Sequence, residues 1–260
     1  MPGRVESVRE DEIGWIIFDH PERRNAISSN MWRELAHAAQ AFGRDPDVRV
    51  VIMRGAGEQA FVSGADISQF EKESGQETQA GLGLDSDEAF RALASLDKPL
   101  IALIHGFCIG GGMAISLMAD LRYAAEDARF GIPAARLGVG YGFSGVESLA
   151  RVVGLPRAKE ILFTARQYSA HEAQAMGLVN RVFDKSGLDS SVSDLAREIA
   201  GNAPLTVRAV KLASRELECD PPSRDMKGVE QGIRDCFESD DFKEGVAAFM
   251  EKRSPRFKGR

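Results

Sequence analysis

Between Gly106 and Ala119 the chain reads GFCIGGGMAISLMA. The run holds no acid or base and no nucleophile stronger than Cys108 and Ser116. Each of Gly110, Gly111 and Gly112 costs a helix roughly 1 kcal/mol relative to alanine, so their placement needs a reason. A helix start presents unpaired backbone N–H groups and a partial positive charge. Glycine there lets backbone approach a ligand with no Cβ in the way. A strand that ends in a glycine run opening a helix can therefore cradle an oxygen on which negative charge develops. Close helix–strand contact is the other use of the same glycines, and the motif alone leaves both readings open.

Other glycine chemistry is less suited. No GK[ST] follows the run, which sets aside a phosphate-binding P-loop. GYGFSG (140–145) fits G-x-G-x-x-G but follows RLGV, a poor strand, so dinucleotide binding is not expected. A second small-residue turn, Ser63-Gly64-Ala65-Asp66, lies in QAFVSGADISQF (59–70). Asp66 is a base or, more simply, the N-cap of a short helix. Tyr141 sits in a glycine-rich turn, either packed with its hydroxyl on backbone or facing a ligand. His105 ends an apolar run and reads as a satisfied core residue. His171 and Glu147 read as surface groups on helices.

These groups need elements to position them. IGWIIFD (13–19), VRVVIMRG (48–55) and PLIALIH (99–105) have the length and β-branched content of buried strands. SSNMWRELAHAAQAFG reads as a helix capped by Ser28 or Ser29, with Met31, Leu35, Ala38 and Phe42 as its apolar stripe. DSDEAFRALASLD reads as a second amphipathic helix, and KESGQETQAGLGL (72–84) as a mobile loop. LRYAA, ARFGI and LVNRVF (178–183) complete the extended segments. VESLARVVG, PRAKEILFT and SAHEAQAMG are short helices set apart by Gly154, Pro156 and Gly177. Beyond residue 186 the pattern is helical only, broken at Ala203-Pro204 and Asp220-Pro221-Pro222. Strand–helix alternation followed by helices implies an α/β core, residues 1–200, with an α-helical region, residues 201–260.

The composition is that of a soluble globular chain: 260 residues, 43% hydrophobic and 28% charged. A net charge of -6 argues against nucleic acid as the main partner. Three scattered cysteines suit a reducing cytoplasm and form neither a disulfide nor a metal framework. The first residues, MPGRVESVREDEIG, resemble neither a signal nor a transit peptide. The charge-free run from Pro99 to Ala119 exceeds the roughly 18 residues that suggest a membrane span. Pro99, its glycines, His105 and Ser116 favour a strand feeding a buried helix instead.

RRNAIS (23–28), AFVSGADI (60–67), KPLIALIHGFCIGGGMAISL (98–117), ARFGIPAARLG (128–138), AQAMGLVNRV (173–182) and FKEGVAAFMEKRSPRFKGR (242–260) together resemble the crotonase, or enoyl-CoA hydratase/isomerase, superfamily. The resemblance covers nearly the whole chain in order. It implies a spiral of ββα units, a C-terminal helical region used in trimerisation, and a homotrimer or dimer of trimers. It also implies an acyl-CoA thioester substrate, with no cofactor beyond the coenzyme A moiety and no metal. The thioester oxygen would be held by the N–H groups of Ala65 and Gly111. Arg24, Ala26, Asp66, Ile67, Gly110, Ala114 and Ala134 would line the substrate. Phe257 and Lys258 would meet coenzyme A from a neighbouring subunit.

The hydratases of this family work with two glutamates, and the matching positions here are Ala114 and Ala134. Adding water across a conjugated double bond needs a base for the water and an acid for the α-carbon. A methyl group is neither. A third acid position used elsewhere in the superfamily falls on Gly142. LGVGYGFSGVESLAR (137–151) resembles methylmalonyl-CoA decarboxylase, including Tyr141, although that enzyme carries a histidine where Ala65 stands. The resemblance therefore implies oxyanion-stabilised enolate chemistry, with decarboxylation as the leading reaction. Hydration or isomerisation by an atypical route, and acyl-CoA binding without turnover, are the alternatives.

Overall fold

A computed structural model of the chain describes residues 2–65 and 76–260, the side chains of 76–84 excepted. Asp66 and Ile67 lie outside the described residues. The N-terminal hairpin β1 (Arg4–Glu10) and β2 (Ile13–Asp19) leads into α1 (Ser29–Arg44), which Ser28 caps by accepting from the Met31 N–H. Then follow β3 (Val50–Gly55), β4 (Ala60–Val62) and α2 (Gln76–Ala94). The pattern repeats with β5 (Leu100–Ile104), β6 (Phe107–Ile109) and α3 (Gly111–Leu117). It repeats again with β7 (Leu121–Ala125), β8 (Arg129–Gly131) and α4 (Ala134–Leu137). Next come α5 (Phe143–Val153), α6 (Leu155–Thr164), β9 (Tyr168–Ser169), α7 (Ala170–Ala175) and β10 (Arg181–Phe183). Four helices close the chain: α8 (Leu188–Ala200), α9 (Pro204–Glu218), α10 (Met226–Glu238) and α11 (Asp240–Glu251).

The first strand of each ββα repeat joins a six-stranded sheet of order β1-β2-β3-β5-β7-β10, and the second joins a four-stranded sheet of order β4-β6-β8-β9. Within the large sheet only the β1–β2 pair is antiparallel. This is the expected spiral of ββα units, an α/β fold.

Alternate residues of the large sheet point to opposite faces. Ile16, Phe18, Val51, Met53, Ala102 and Ile104 face the main core against α1 and the small sheet. Ile13, Trp15, Val50, Ile52, Ile101 and Leu103 face Leu188, Val192 and Ala196 of α8. Burial on both faces makes β3 and β5 read as unbroken apolar runs. The charge-free segment from Pro99 is thus β5, β6 and α3, and no described helix is long and apolar enough to cross a membrane.

One reading needs correction. Residues 76–84, expected as part of a loop, are the first half of α2, whose later turns pack against α1 with the Phe90 and Trp32 rings 5.3 Å apart. The charged segment before Ile13 is β1, paired along its length with β2.

Candidate active site

The site is built at the C-terminal ends of the parallel strands, where the chain leaves the sheets through tight turns. The first is the loop from His20 to Ser28. Arg24 and Asn25 have positive φ there, a conformation asparagine tolerates better than most residues. The Asn25 side chain is buried and accepts from the His20 N–H at 2.9 Å. Its amide donates to the carbonyls of Ala56 at 3.1 Å and Ala60 at 2.8 Å. This clamps the loop to the turn between β3 and β4. The Ser63 N–H then donates to Arg24 O, and the Ile27 N–H to Gly64 O at 2.9 Å, which lays Ala65 beside Ile27.

The second turn is the glycine run, and its three residues have three uses. Gly110 has φ +55°, a backbone state that L side chains resist, and its N–H donates to Gly131 O at 2.8 Å. Gly111 begins α3, and a Cβ there would lie 3.8 Å from the Ala65 nitrogen. Gly112 touches β4 so closely that a Cβ would sit 2.0 Å from the Val62 carbonyl oxygen. The close-contact reading of the motif therefore holds at Gly112, while Gly111 lies beside Ala65. Among the described residues, neither the Ala65 N–H nor the Gly111 N–H donates to a backbone carbonyl.

The far end of α3 is closed by Arg122, buried in the core, which donates to the carbonyls of Ser116, Ala119 and Leu178. A cation there complements the C-terminal end of the helix dipole. The opposite, N-terminal end begins at Gly111, beside Ala65.

Ala114 stands one turn along α3, and its N–H donates to Gly110 O at 3.1 Å. Ala134 opens α4 directly after Pro133, whose Cδ is 3.9 Å from where a Gly110 Cβ would be. Both half-buried methyls thus flank the glycine turn. Ala26, also buried, lies in the clamped loop. Tyr141 precedes α5, which packs against α3. Its hydroxyl is buried and has no hydrogen-bond partner among the described residues. Burial raises the phenol's pKa, so near neutral pH it keeps its proton and is a donor rather than a base.

On the same clamped loop, the Arg24 guanidinium stacks 4.8 Å from the Phe107 ring of β6. Phe257 and Lys258 dock at the other end of the strands: Arg49, just before β3, donates to Phe257 O at 2.8 Å, and the Lys258 N–H donates to Asp241. The length of β3, roughly 3.3 Å per residue, separates them from the site in their own chain. Glu147 pairs with Arg151 across one helical turn. His105 meets Asp189 at 3.3 Å through Nε2. Cys108 is fully buried, which pushes its thiol up to about 12 and leaves it inert. Sequence reasoning missed Asn25, although an asparagine between a short turn and a capping serine is a signal for a left-handed position.

The Ala65 nitrogen and the first residue of α3 thus come together from two separate turns of an α/β spiral. The comparisons with known proteins are consistent with that geometry. The enoyl-CoA hydratase/isomerase family model matches residues 9–260. The chain is 37% identical to a short-chain-enoyl-CoA hydratase from Clostridium acetobutylicum, over 94% of each protein. It is 36% identical to a peroxisomal Delta(3,5)-Delta(2,4)-dienoyl-CoA isomerase from Arabidopsis thaliana, over 95% of this chain and 93% of that one. Among solved structures, an enoyl-CoA hydratase/carnithine racemase from Magnetospirillum magneticum superposes with a TM-score of 0.94 at 34% identity, covering 98% of this chain and 96% of that one. The chain belongs to the enoyl-CoA hydratase/isomerase family, within the crotonase superfamily.

Proposed function

We propose that the protein binds an acyl-CoA thioester, polarises its carbonyl between the N–H groups of Ala65 and Gly111, and decarboxylates a malonyl-type acyl group. The electron pair of the bond between the α-carbon and the carboxylate moves into the thioester, carbon dioxide leaves, and the enolate oxygen is held in the hole. A proton from solvent then quenches the α-carbon. Such a reaction needs charge stabilisation more than acid–base pairs. Tyr141 donates to the departing carboxylate and orients it.

The observation that carries this reading is the buried Tyr141 hydroxyl, without a partner among the described residues, just before a helix that packs on α3, together with two methyls where hydratases carry glutamates. A buried donor without a partner costs about 1–3 kcal/mol, which a substrate carboxylate would recover. Only the coenzyme A moiety of the substrate is required. Val210, Phe237, Phe249 and Met250 expose an apolar face on the C-terminal helices, the surface that a homotrimer or dimer of trimers would cover. Such assembly would also bring Phe257 and Lys258 to a neighbour's site. A cytoplasmic setting suits the three free cysteines.

The test is a mass-spectrometric screen of coenzyme A thioesters that includes methylmalonyl- and crotonyl-CoA. Methylmalonyl-CoA is expected to lose carbon dioxide, and Tyr141→Phe to slow that loss. The double substitution Ala114→Glu and Ala134→Glu is expected to introduce hydration. Water addition to crotonyl-CoA by the unaltered protein would refute the proposal. So would acyl-CoA binding without turnover of any thioester.

A further inference from the structure

We infer that Gly145 is a positioning residue: its bare Cα is the seat on which the Tyr141 ring rests, and a side chain there removes the hydroxyl from the site. The inference rests on the reading of Tyr141 as the group that faces the acyl carboxylate.

Gly145 is the third residue of α5 and does not have positive φ, so its backbone does not call for glycine. Alanine is the better helix former at such a position. A Cβ built on Gly145 would lie 2.7 Å from Tyr141 Cε1, 3.0 Å from Cζ and 3.3 Å from Oη. No other side chain or backbone group is among the nearest atoms it meets. The first atoms a methyl would meet are thus all on the phenol. The ring folds back over the first turn of its own following helix and packs on its other side against the main core. That holds the hydroxyl buried, with no partner among the described residues.

What yields to a methyl is also visible. Gly138, Gly140 and Gly142 surround Tyr141 in sequence, and a Cβ on any of them would meet nothing within 4 Å. The segment before α5 thus has room to move, whereas α5 is anchored by buried Leu149 and Val153. A residue at 145 swings the ring outward and leaves the helix in place.

The experiment compares the unaltered protein, Gly145→Ala, Tyr141→Phe and the double variant, using methylmalonyl-CoA as the probe. Turnover of Gly145→Ala is expected to fall by roughly tenfold to a hundredfold, the worth of a hydrogen bond to a charged group. The double variant is expected to fall no further than either single one. Tyrosinate absorbance provides a readout independent of activity, because the chain has three tyrosines and the Tyr141→Phe difference isolates one. Tyr141 is expected to titrate above the ordinary 10 in the unaltered protein, and to move back toward it in Gly145→Ala. Unchanged titration in Gly145→Ala overturns the inference, whatever happens to turnover. Shifted titration with turnover indifferent to Tyr141→Phe upholds the seat and overturns the role of the phenol in decarboxylation.

Discussion

Substituting alanine for Gly112 and for its neighbour Gly111 should damage the protein in two different ways. At Gly112 the new methyl would be 2.0 Å from the Val62 oxygen, and real contacts stay above about 3.0 Å. Helix α3 and strand β4 must therefore separate by about 1 Å. Val62 lies three residues before Ala65, and Gly112 adjoins Gly111, so the two N–H donors move apart with them. A hydrogen bond of about 2.9 Å stretched by that amount is lost. Loss of one oxyanion donor costs about 10²–10³-fold in turnover, or roughly 3–4 kcal/mol. Overpacking adds about 1–3 kcal/mol of destabilisation. At roughly 2–4 °C per kcal/mol, the melting temperature should fall by about 2–12 °C.

At Gly111 the methyl would meet nothing nearer than 3.6 Å, so the melting temperature should hold. Yet the methyl would stand 3.8 Å from the Ala65 nitrogen, at the mouth of the hole, and turnover should fall. Thermal melts and a carbon dioxide release assay on both variants separate the effects. Unaltered melting of Gly112→Ala, or full activity of Gly111→Ala, would refute this division of roles.

Asn25→Ala removes three hydrogen bonds, two buried and one part-buried, worth about 3 kcal/mol, and should lower the melting temperature by roughly 6–12 °C; an unchanged melt would contradict the clamp. In the native protein a thiol reagent should label exposed Cys219 and spare Cys108 until denaturation, and rapid native labelling at Cys108 would contradict its burial in β6. The Glu172 carboxylate accepts from the Ser169 N–H and hydroxyl and pairs with Arg166, which lowers its pKa from 4.5 to about 2. Its stabilising contribution is therefore present above about pH 4.5 and lost as pH falls through about 2. The difference in melting temperature between the unaltered protein and Glu172→Gln should narrow over that range, and a constant gap would argue against the capping interaction.

How much of this was legible in the sequence follows from how much each residue depends on distant partners. Strands β2, β3 and β5 announce themselves because α1 and the small sheet cover one of their faces and α8 the other, leaving apolar runs. Strand β1, RVESVRE, does not, because it is an edge strand with mostly exposed, ion-paired side chains such as Arg4 with Asp19 and Arg9 with Asp47. The three-residue strands β4 and β6 are too short to carry a period and are recognisable only by their pairing. Gly81 and Gly83 argued for a loop where α2 runs, and tertiary contact with α1 overrides that local preference. In the site, the glycine run was readable because glycine at a helix start is locally costly. Gly145 was not, because its reason is a ring four residues away folded back in space. Asn25 was passed over because its partners, Ala56 and Ala60, lie more than thirty residues along the chain.

The most direct measurement runs the unaltered protein with methylmalonyl-CoA and crotonyl-CoA side by side in deuterium oxide and reads the products by mass. Oxyanion-stabilised enolate formation without paired glutamates predicts loss of carbon dioxide from methylmalonyl-CoA, one deuterium at the α-carbon of the product, and crotonyl-CoA returned unchanged. Conversion of crotonyl-CoA to a deuterated hydroxyacyl-CoA, with methylmalonyl-CoA left intact, would contradict it.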